Sequence, residues 1–461
     1  MNAAREFLLR SVEKSADLTH RQIIRRNMDH YDAAVLRGKT RFADWDAARE
    51  RCAEIKQEAI ENLDKYLVEF ESKILARGGH VFWAESSEEA RAYIAKLATD
   101  RGVKRVVKSK SMVTEEIRLT PALEKVGCEV VETDLGEYIV QLRNEPPYHI
   151  VTPAMHLTRT QIADLFREKL EGVTSDDPTH LVAVARRKLR AAFFSAEMGI
   201  SGANFLVADA GMVAISTNEG NGRLCTTLPK IHVVVTGIEK VVPRLCDLGV
   251  LWPVLATAGT GQPVTTYSTL IGGAHTPAEI DGPEEFHVVL VDNGRSELLS
   301  DTEQRDTLRC IRCGACLNAC PVYKNIGGHT YATTYQGPIG SVLTPHFRGH
   351  EFDHLSFASS LCGSCTSVCP VKIDLHHHLL HNRRNSVNSS QRSGGERLAF
   401  RVWRWAMSSN TRFERLGRWG RRGLRLTNTI GIDLLKPWTK YRSAPALPKK
   451  SFREMWRDGN V

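Results

Sequence analysis

Cys310-Ile311-Arg312-Cys313-Gly314-Ala315-Cys316-Leu317-Asn318-Ala319-Cys320-Pro321 is a C-x2-C-x2-C-x3-C-P run. A shorter echo, Cys362-Gly363-Ser364-Cys365-Thr366-Ser367-Val368-Cys369-Pro370, reads C-x2-C-x3-C-P. In such runs close turns gather three thiolates around one iron–sulfur cubane, and the fourth cysteine, set off by an extra residue and a proline, ligates a second cluster. Seven of the eleven cysteines lie in these two runs, which marks an electron carrier. Structural zinc is the rival, but its ligands usually come in separated pairs, and neither run offers them.

Aligned backward from their prolines, the runs differ at one place. The second run has Ser359 where the first has Cys310. Crossed ligation predicts a [4Fe–4S] cluster on Cys310, Cys313, Cys316 and Cys369. Cys320, Cys362 and Cys365 then leave a three-thiolate site. It suits a [3Fe–4S] cluster, or a [4Fe–4S] cluster whose fourth ligand is Ser359, Ser360, His329, His346, water or a partner residue. About forty residues separate the runs, more than a two-hairpin ferredoxin needs. That spacing resembles the α-helical ferredoxin modules of succinate dehydrogenase iron–sulfur subunits and heterodisulfide-reductase-like proteins, where clusters lie in a line.

At 461 residues the chain predicts two to three domains. Cysteines committed to close-spaced runs argue against a disulfide scaffold and for a reducing, cytoplasmic setting. Neither a secretory leader nor an eighteen-residue apolar stretch is visible, so a soluble or peripheral protein is expected. Net charge is +9 and uneven. After residue 380 there are nineteen Lys or Arg against five acids, so that tail carries +14 and the rest −5. The tail also holds Trp403, Trp405, Trp419, Trp438 and Trp456. It reads as a membrane-surface element or a docking strip for an acidic partner; no nucleic-acid-reading motif accompanies it.

Residues 1–65 show three- and four-residue apolar steps (Ile23, Ile24, Met28; Cys52, Ile55, Ala59, Leu63), predicting a helical arm. Residues 66–300 alternate strands (His80–Trp83, Arg105–Lys108, Glu129–Glu132, Phe205–Ala208, Met212–Ser216, Ile231–Thr236, Phe286–Val291) with helices (Ser87–Thr99, Thr160–Arg167, Thr179–Ala196). That order predicts an α/β domain with a largely parallel sheet, ligands gathering at strand ends. Lys108-Ser109-Lys110-Ser111 is a candidate anion loop. Asn218-Glu219-Gly220-Asn221-Gly222-Arg223 is a second candidate, with Glu219 and Arg223 as orienting charges. Glu219 and Lys110 are the catalytic candidates if this domain is an enzyme. Gly259-Thr260-Gly261-Gln262 lacks the dinucleotide spacing, and no Walker A, G-x-S-x-G or H-E-x-x-H occurs.

Residues 301–385 make the ferredoxin module. Arg312 and Lys372 lie beside the runs as candidate tuning charges. His376, His377, His378 and His381 read as a solvent-facing patch, and the single Cys128, Cys225 and Cys246 as buried, inert thiols. Residues 386–461 form the tail. A polar linker, Ser386 to Gly395, leads into a basic amphipathic helix over Glu396 to Met407, and an extended end follows Pro445-Ala446-Leu447-Pro448.

Ala208-Asp209-Ala210-Gly211, then Ser216 through Arg223, resembles the LUD domain, whose fold is similar to ribose-5-phosphate isomerase and CoA-transferase folds. Followed by the cysteine runs, Ile326-Gly327-Gly328-His329 and Gly337-Pro338-Ile339-Gly340, the order resembles the lactate utilization protein B family over nearly the whole chain. Ser359 belongs to that family's pattern. The resemblance implies an iron–sulfur subunit through which electrons pass from L-lactate to a quinone or other carrier. It further implies two companions, a cysteine-rich heterodisulfide-reductase-like subunit and a second LUD protein. Another 2-hydroxy acid such as glycolate, an α/β enzyme with regulatory clusters, and a scaffold recruited by its tail are the alternatives.

Overall fold

The computed structural model describes residues 2–388, 394–429, 439, 443 and 446–459. The middle of the polar linker, Trp438 and Pro445 lie outside the described residues. Residues 1–386 and 387–461 form two compact units. The sequence boundaries at 65 and 300 fall inside the first.

Four helices open the chain: α1 (Ala3–Ala16), α2 (Leu18–Lys39), α3 (Trp45–Glu61) and α4 (Leu63–Ala76). Asp17 and Asp44 cap α2 and α3 by accepting amides of their first turns. The expected stripe (Ile24, Met28, Cys52, Ile55, Ala59) is fully buried. Cys52 is core, and burial pushes its thiol up to about 12.

Ten strands follow: β1 (His80–Ala84), β2 (Arg105–Lys108), β3 (Glu129–Glu132), β4 (Met198–Ser201), β5 (Phe205–Val207), β6 (Met212–Thr217), β7 (Ile231–Gly237), β8 (Val241–Val242), β9 (Tyr267–Ile271) and β10 (Glu285–Val291). Six make a wholly parallel sheet in the order β1-β10-β7-β4-β2-β3. Its central strands are near-continuous apolar runs because helices cover both faces. Val288 sits opposite Val81 on one side and Val234 on the other.

The strands expected at Phe205 and Met212 belong elsewhere. They pair antiparallel in a separate four-stranded sheet, β8-β5-β6-β9. β5 and β6 are joined by a four-residue turn through Gly211 (φ +57°), too short for the crossover that a parallel pair needs. Helices Ser87–Asp100, Arg159–Lys169 and Pro178–Ser195 lie where the sequence placed them.

The cysteine-rich segment adds short helices and shares one apolar core with α2, α3 and helix Leu248–Thr260. In the second unit, helices Gly394–Met407 and Asn410–Thr429 expose Leu398, Phe400, Trp403, Trp405 and Trp419. Among the described residues no helix is long and apolar enough to cross a membrane.

Candidate iron–sulfur centre

The two runs build one loop twice. Gly314 (φ +81°) and Gly363 (φ +78°) each follow a cysteine and open a five-residue helix, Ala315–Ala319 or Ser364–Val368. The residues before those cysteines, Arg312 (φ +60°) and Leu361 (φ +55°), are also left-handed, a conformation non-glycine residues adopt only under tertiary constraint. Cys320 and Cys369 end the helices with the same ψ of 118°. The two helices pack against each other. Backbone amides then turn onto the sulfurs: Tyr323 N–H donates to Cys320 Sγ at 3.5 Å and Ile373 N–H to Cys369 Sγ at 3.3 Å.

Electrostatics sorts the thiols into two groups. Burial raises the Cys316 thiol most, and the nearby charges of Cys310, Cys313 and Cys369 raise it further. Cys313 responds, after burial, to Cys369 and Cys310. Cys369, pushed up to about 11 by burial, responds to Cys310. Cys365, also raised to about 11 by burial, responds instead to Cys320 and Cys362. Cys362 is exposed, and hydrogen bonding with Ser364 and then Ser360 lowers its thiol.

These residues fit iron–sulfur clusters better than zinc. Four thiolates on one zinc at ~2.3 Å would stand about 3.8 Å apart. Among the described residues, the groups of three metal-ligand atoms that close to within 4.8 Å are Glu145, His156, His329 and Asp374, His376, His377, with no cysteine in either. The wider spacing suits a cubane, and amide donors to sulfur are among the features that tune one.

Buried cations surround the first group. Arg312 has a largely covered side chain that donates to Glu239 Oε1 at 3.3 Å and stacks over Tyr335 at 4.4 Å. Glu239 also receives Arg295 Nε at 2.6 Å, and Arg295 reaches Glu116 Oε2 at 2.8 Å. Burial opposes ionisation of Glu239, but Arg295, Arg312 and Lys240 overcome it and hold the carboxyl at about 2. Lys56 donates to the carbonyls of Glu239 (2.6 Å) and Val241 (3.1 Å). Burial and then Lys240 bring Lys56 down to about 7; burial and then Arg312 bring Lys240 down to about 8. Crowded cations of this kind call for an anion beside them, and four thiolates around a cubane supply one. The arm contributes again through Arg49, whose guanidinium donates to the Cys369 carbonyl at 2.8 and 3.1 Å and to the Ser367 carbonyl at 2.9 Å.

Other expected positions sort unevenly. Lys372 is a surface cation paired with Glu50, unlike Arg312. His329 Nε2–H donates to the Pro146 carbonyl at 2.8 Å and His346 faces Asp301 and Glu297, whereas Ser360 lies against Cys362. Ser359 Oγ accepts the Leu361 N–H at 3.1 Å. The histidine patch is not uniformly solvent-facing: His378 is buried on Asp306 at 2.7 Å because its helix turns that face inward. Cys128 and Cys225 are buried as expected, but Cys246 is exposed on a short 3-10 turn. Lys108 cannot serve an anion loop, since it is fully buried among Glu132, Glu115 and Glu137, which hold its charge against desolvation. Arg223 turns away over Tyr267.

Comparison with known proteins agrees with this layout. Residues 67–291 match the LUD domain, 306–373 a 4Fe-4S dicluster domain, and 376–461 the C-terminal region of lactate utilisation protein B. Lactate utilization protein B of Bacillus thuringiensis (strain Al Hakam) is 45% identical over 432 residues, covering 92% of this chain and 90% of its own. The chain belongs to the lactate utilization protein B family. The Bacillus cereus (strain AH187) relative shows the same identity and coverage. A crystal structure of a DUF162 family protein from Deinococcus radiodurans covers 50% of this chain and 98% of its own at 15% identity, with a TM-score of 0.29. The cysteine runs and the LUD loops of this chain sit in one compact unit.

Proposed function

We propose that this chain is the iron–sulfur electron-transfer subunit of a complex oxidising L-lactate to pyruvate. The observation that carries the reading is the pair of twin loops packed face to face, with the last cysteine of each run grouped with the other run. Cys310, Cys313, Cys316 and Cys369 hold a [4Fe–4S] cluster. Cys320, Cys362 and Cys365 hold the second, either [3Fe–4S] or [4Fe–4S] completed by Ser360, Ser359, water or a partner residue.

Oxidation of lactate to pyruvate releases two electrons and two protons, and iron–sulfur clusters pass such electrons one at a time. The chain's residues set the path. Arg312, Lys240 and Lys56 favour the more negative, reduced state at the first group, while amides of Tyr323 and Ile373 fix the sulfurs. Exposed Cys362 puts the second group at the surface, where electrons can leave to a partner. A cysteine-rich subunit and a second LUD protein are the partners proposed. The basic, tryptophan-bearing tail helices would dock on a partner or on an anionic membrane at the cytoplasmic face.

Anaerobic purification tests this. A brown protein with iron, inorganic sulfide and a reducible paramagnetic signal is expected; a colourless one with stoichiometric zinc would refute it.

A further inference from the structure

A cavity of about 670 Å³ opens where the parallel sheet's carboxyl ends meet the first cysteine run. Lys110 after β2, Asn204 after β4 and Lys240 after β7 line it together with Glu219, which follows β6 of the second sheet; Arg312 and Cys313 line it too. The carboxyl edge of a parallel sheet is where such folds bind ligands, and the volume suits anything from a hydrated small acid to a mononucleotide.

Its inner end holds two cations with unused donors. Lys240 is 5% exposed, and its Nζ has no hydrogen-bond or ion-pair partner among the described residues. The Arg312 side chain is 9% exposed; its Nη1 is buried without a partner, while Nη2 is committed to Glu239. The Cys310 thiol supplies negative charge near both cations, yet Lys240 Nζ and Arg312 Nη1 have no hydrogen-bond acceptor among the described residues, and donors left open at this depth are costly unless something accepts from them. The outer end is mixed: Lys110 donates to the Val151 carbonyl at 2.8 Å and lies 3.8 Å from Asp134, with Glu219 beside it accepting the Leu135 N–H at 3.3 Å. Negative charge is therefore welcome only at the end next to Cys313.

We propose that this cavity binds an organic anion whose carboxylate or phosphate sits on Lys240 Nζ and Arg312 Nη1, directly against the Cys313 loop. On the electron-transfer reading above, on which this second step rests, occupancy and redox state are linked. Reduction adds a negative charge beside the bound anion, so the anion prefers the oxidised protein and lowers the potential of the first cluster.

Calorimetric titration of the full-length, anaerobically purified protein tests binding, with pyruvate as the carboxylate arm and inorganic phosphate and adenosine monophosphate as the phosphate arm. Saturable binding in either arm is expected, weakened at least tenfold by Lys240→Gln. Glu219→Gln, at the exposed mouth, should tighten it about threefold by removing a repelling charge. The same anion should shift the first cluster's midpoint downward; a tenfold preference for the oxidised state corresponds to about 59 mV. Absence of binding in all arms, or affinities that neither variant alters, would overturn the site. Binding without a potential shift would overturn the linkage alone, and a protein lacking clusters that still binds would count against the electron-transfer reading instead.

Discussion

The two cysteine loops share a backbone and differ in their surroundings. The first has a left-handed Arg312 whose guanidinium folds back into a buried network with Glu239, Arg295 and Glu116; the second has Leu361 at the same place. Around the first group Lys56, Lys240, Glu239 and Arg295 are buried and Lys372 is the surface exception, whereas the second ends on exposed Cys362 and its serines. One local geometry can thus serve two electrical environments, because the loop fixes the sulfurs and distant residues fix the field. A buried, cation-rich site holds electrons more readily than one without those cations. On the electron-transfer role proposed above, the contrast would make the first group the internal, higher-potential site and the second the one a partner reaches.

Removing the charge network should break this contrast most strongly. Arg295→Met strands two buried carboxylates and is expected to cost about 3–5 kcal/mol in denaturant unfolding. Acid should act through the same network. Glu239 is held at about 2 against an ordinary value of 4.5, so its stabilisation is complete above about pH 4.5 and fades as pH falls toward 2. A Glu239→Gln variant followed by unfolding across that window should lose this slope.

Arg49→Met withdraws donors from the Cys369 and Ser367 carbonyls; a loss of about 1–3 kcal/mol is expected, with the first group's paramagnetic signal changing more than the second's. Ser359→Cys restores the missing cysteine and should raise iron content at the second site toward a full cubane, leaving the first signal as it was. Deleting residues 387–461, a separate compact unit, should leave both signals unchanged while reducing retention by membranes or partner subunits.

Much of this was legible in the chain because it is local. Seven strands and three helices fall within a residue or two of their sequence placement, since apolar runs and helical periodicity are short-range patterns. β4 escaped notice: it is four residues long and contains Gly199, where any Cβ would meet the Cys225 carbonyl. β8 has two residues, and β9 alternates partly exposed positions without a strong apolar face. The cysteine runs announced themselves by spacing. Lys56, Lys240, Glu239, Arg295 and Arg49 did not, because residues far apart in sequence meet only in the folded unit and no local motif marks them. Lys108 shows the opposite failure, a cation in a promising loop that three glutamates claim.

The crossed wiring is tested most directly by Cys369→Ser, purified anaerobically and examined by iron analysis and electron paramagnetic resonance. Loss of the cluster on Cys310, Cys313 and Cys316, with the signal of the Cys320, Cys362 and Cys365 site retained, is the expected result. Loss of the second signal with the first intact would mean that each run closes its own cluster, and would contradict it.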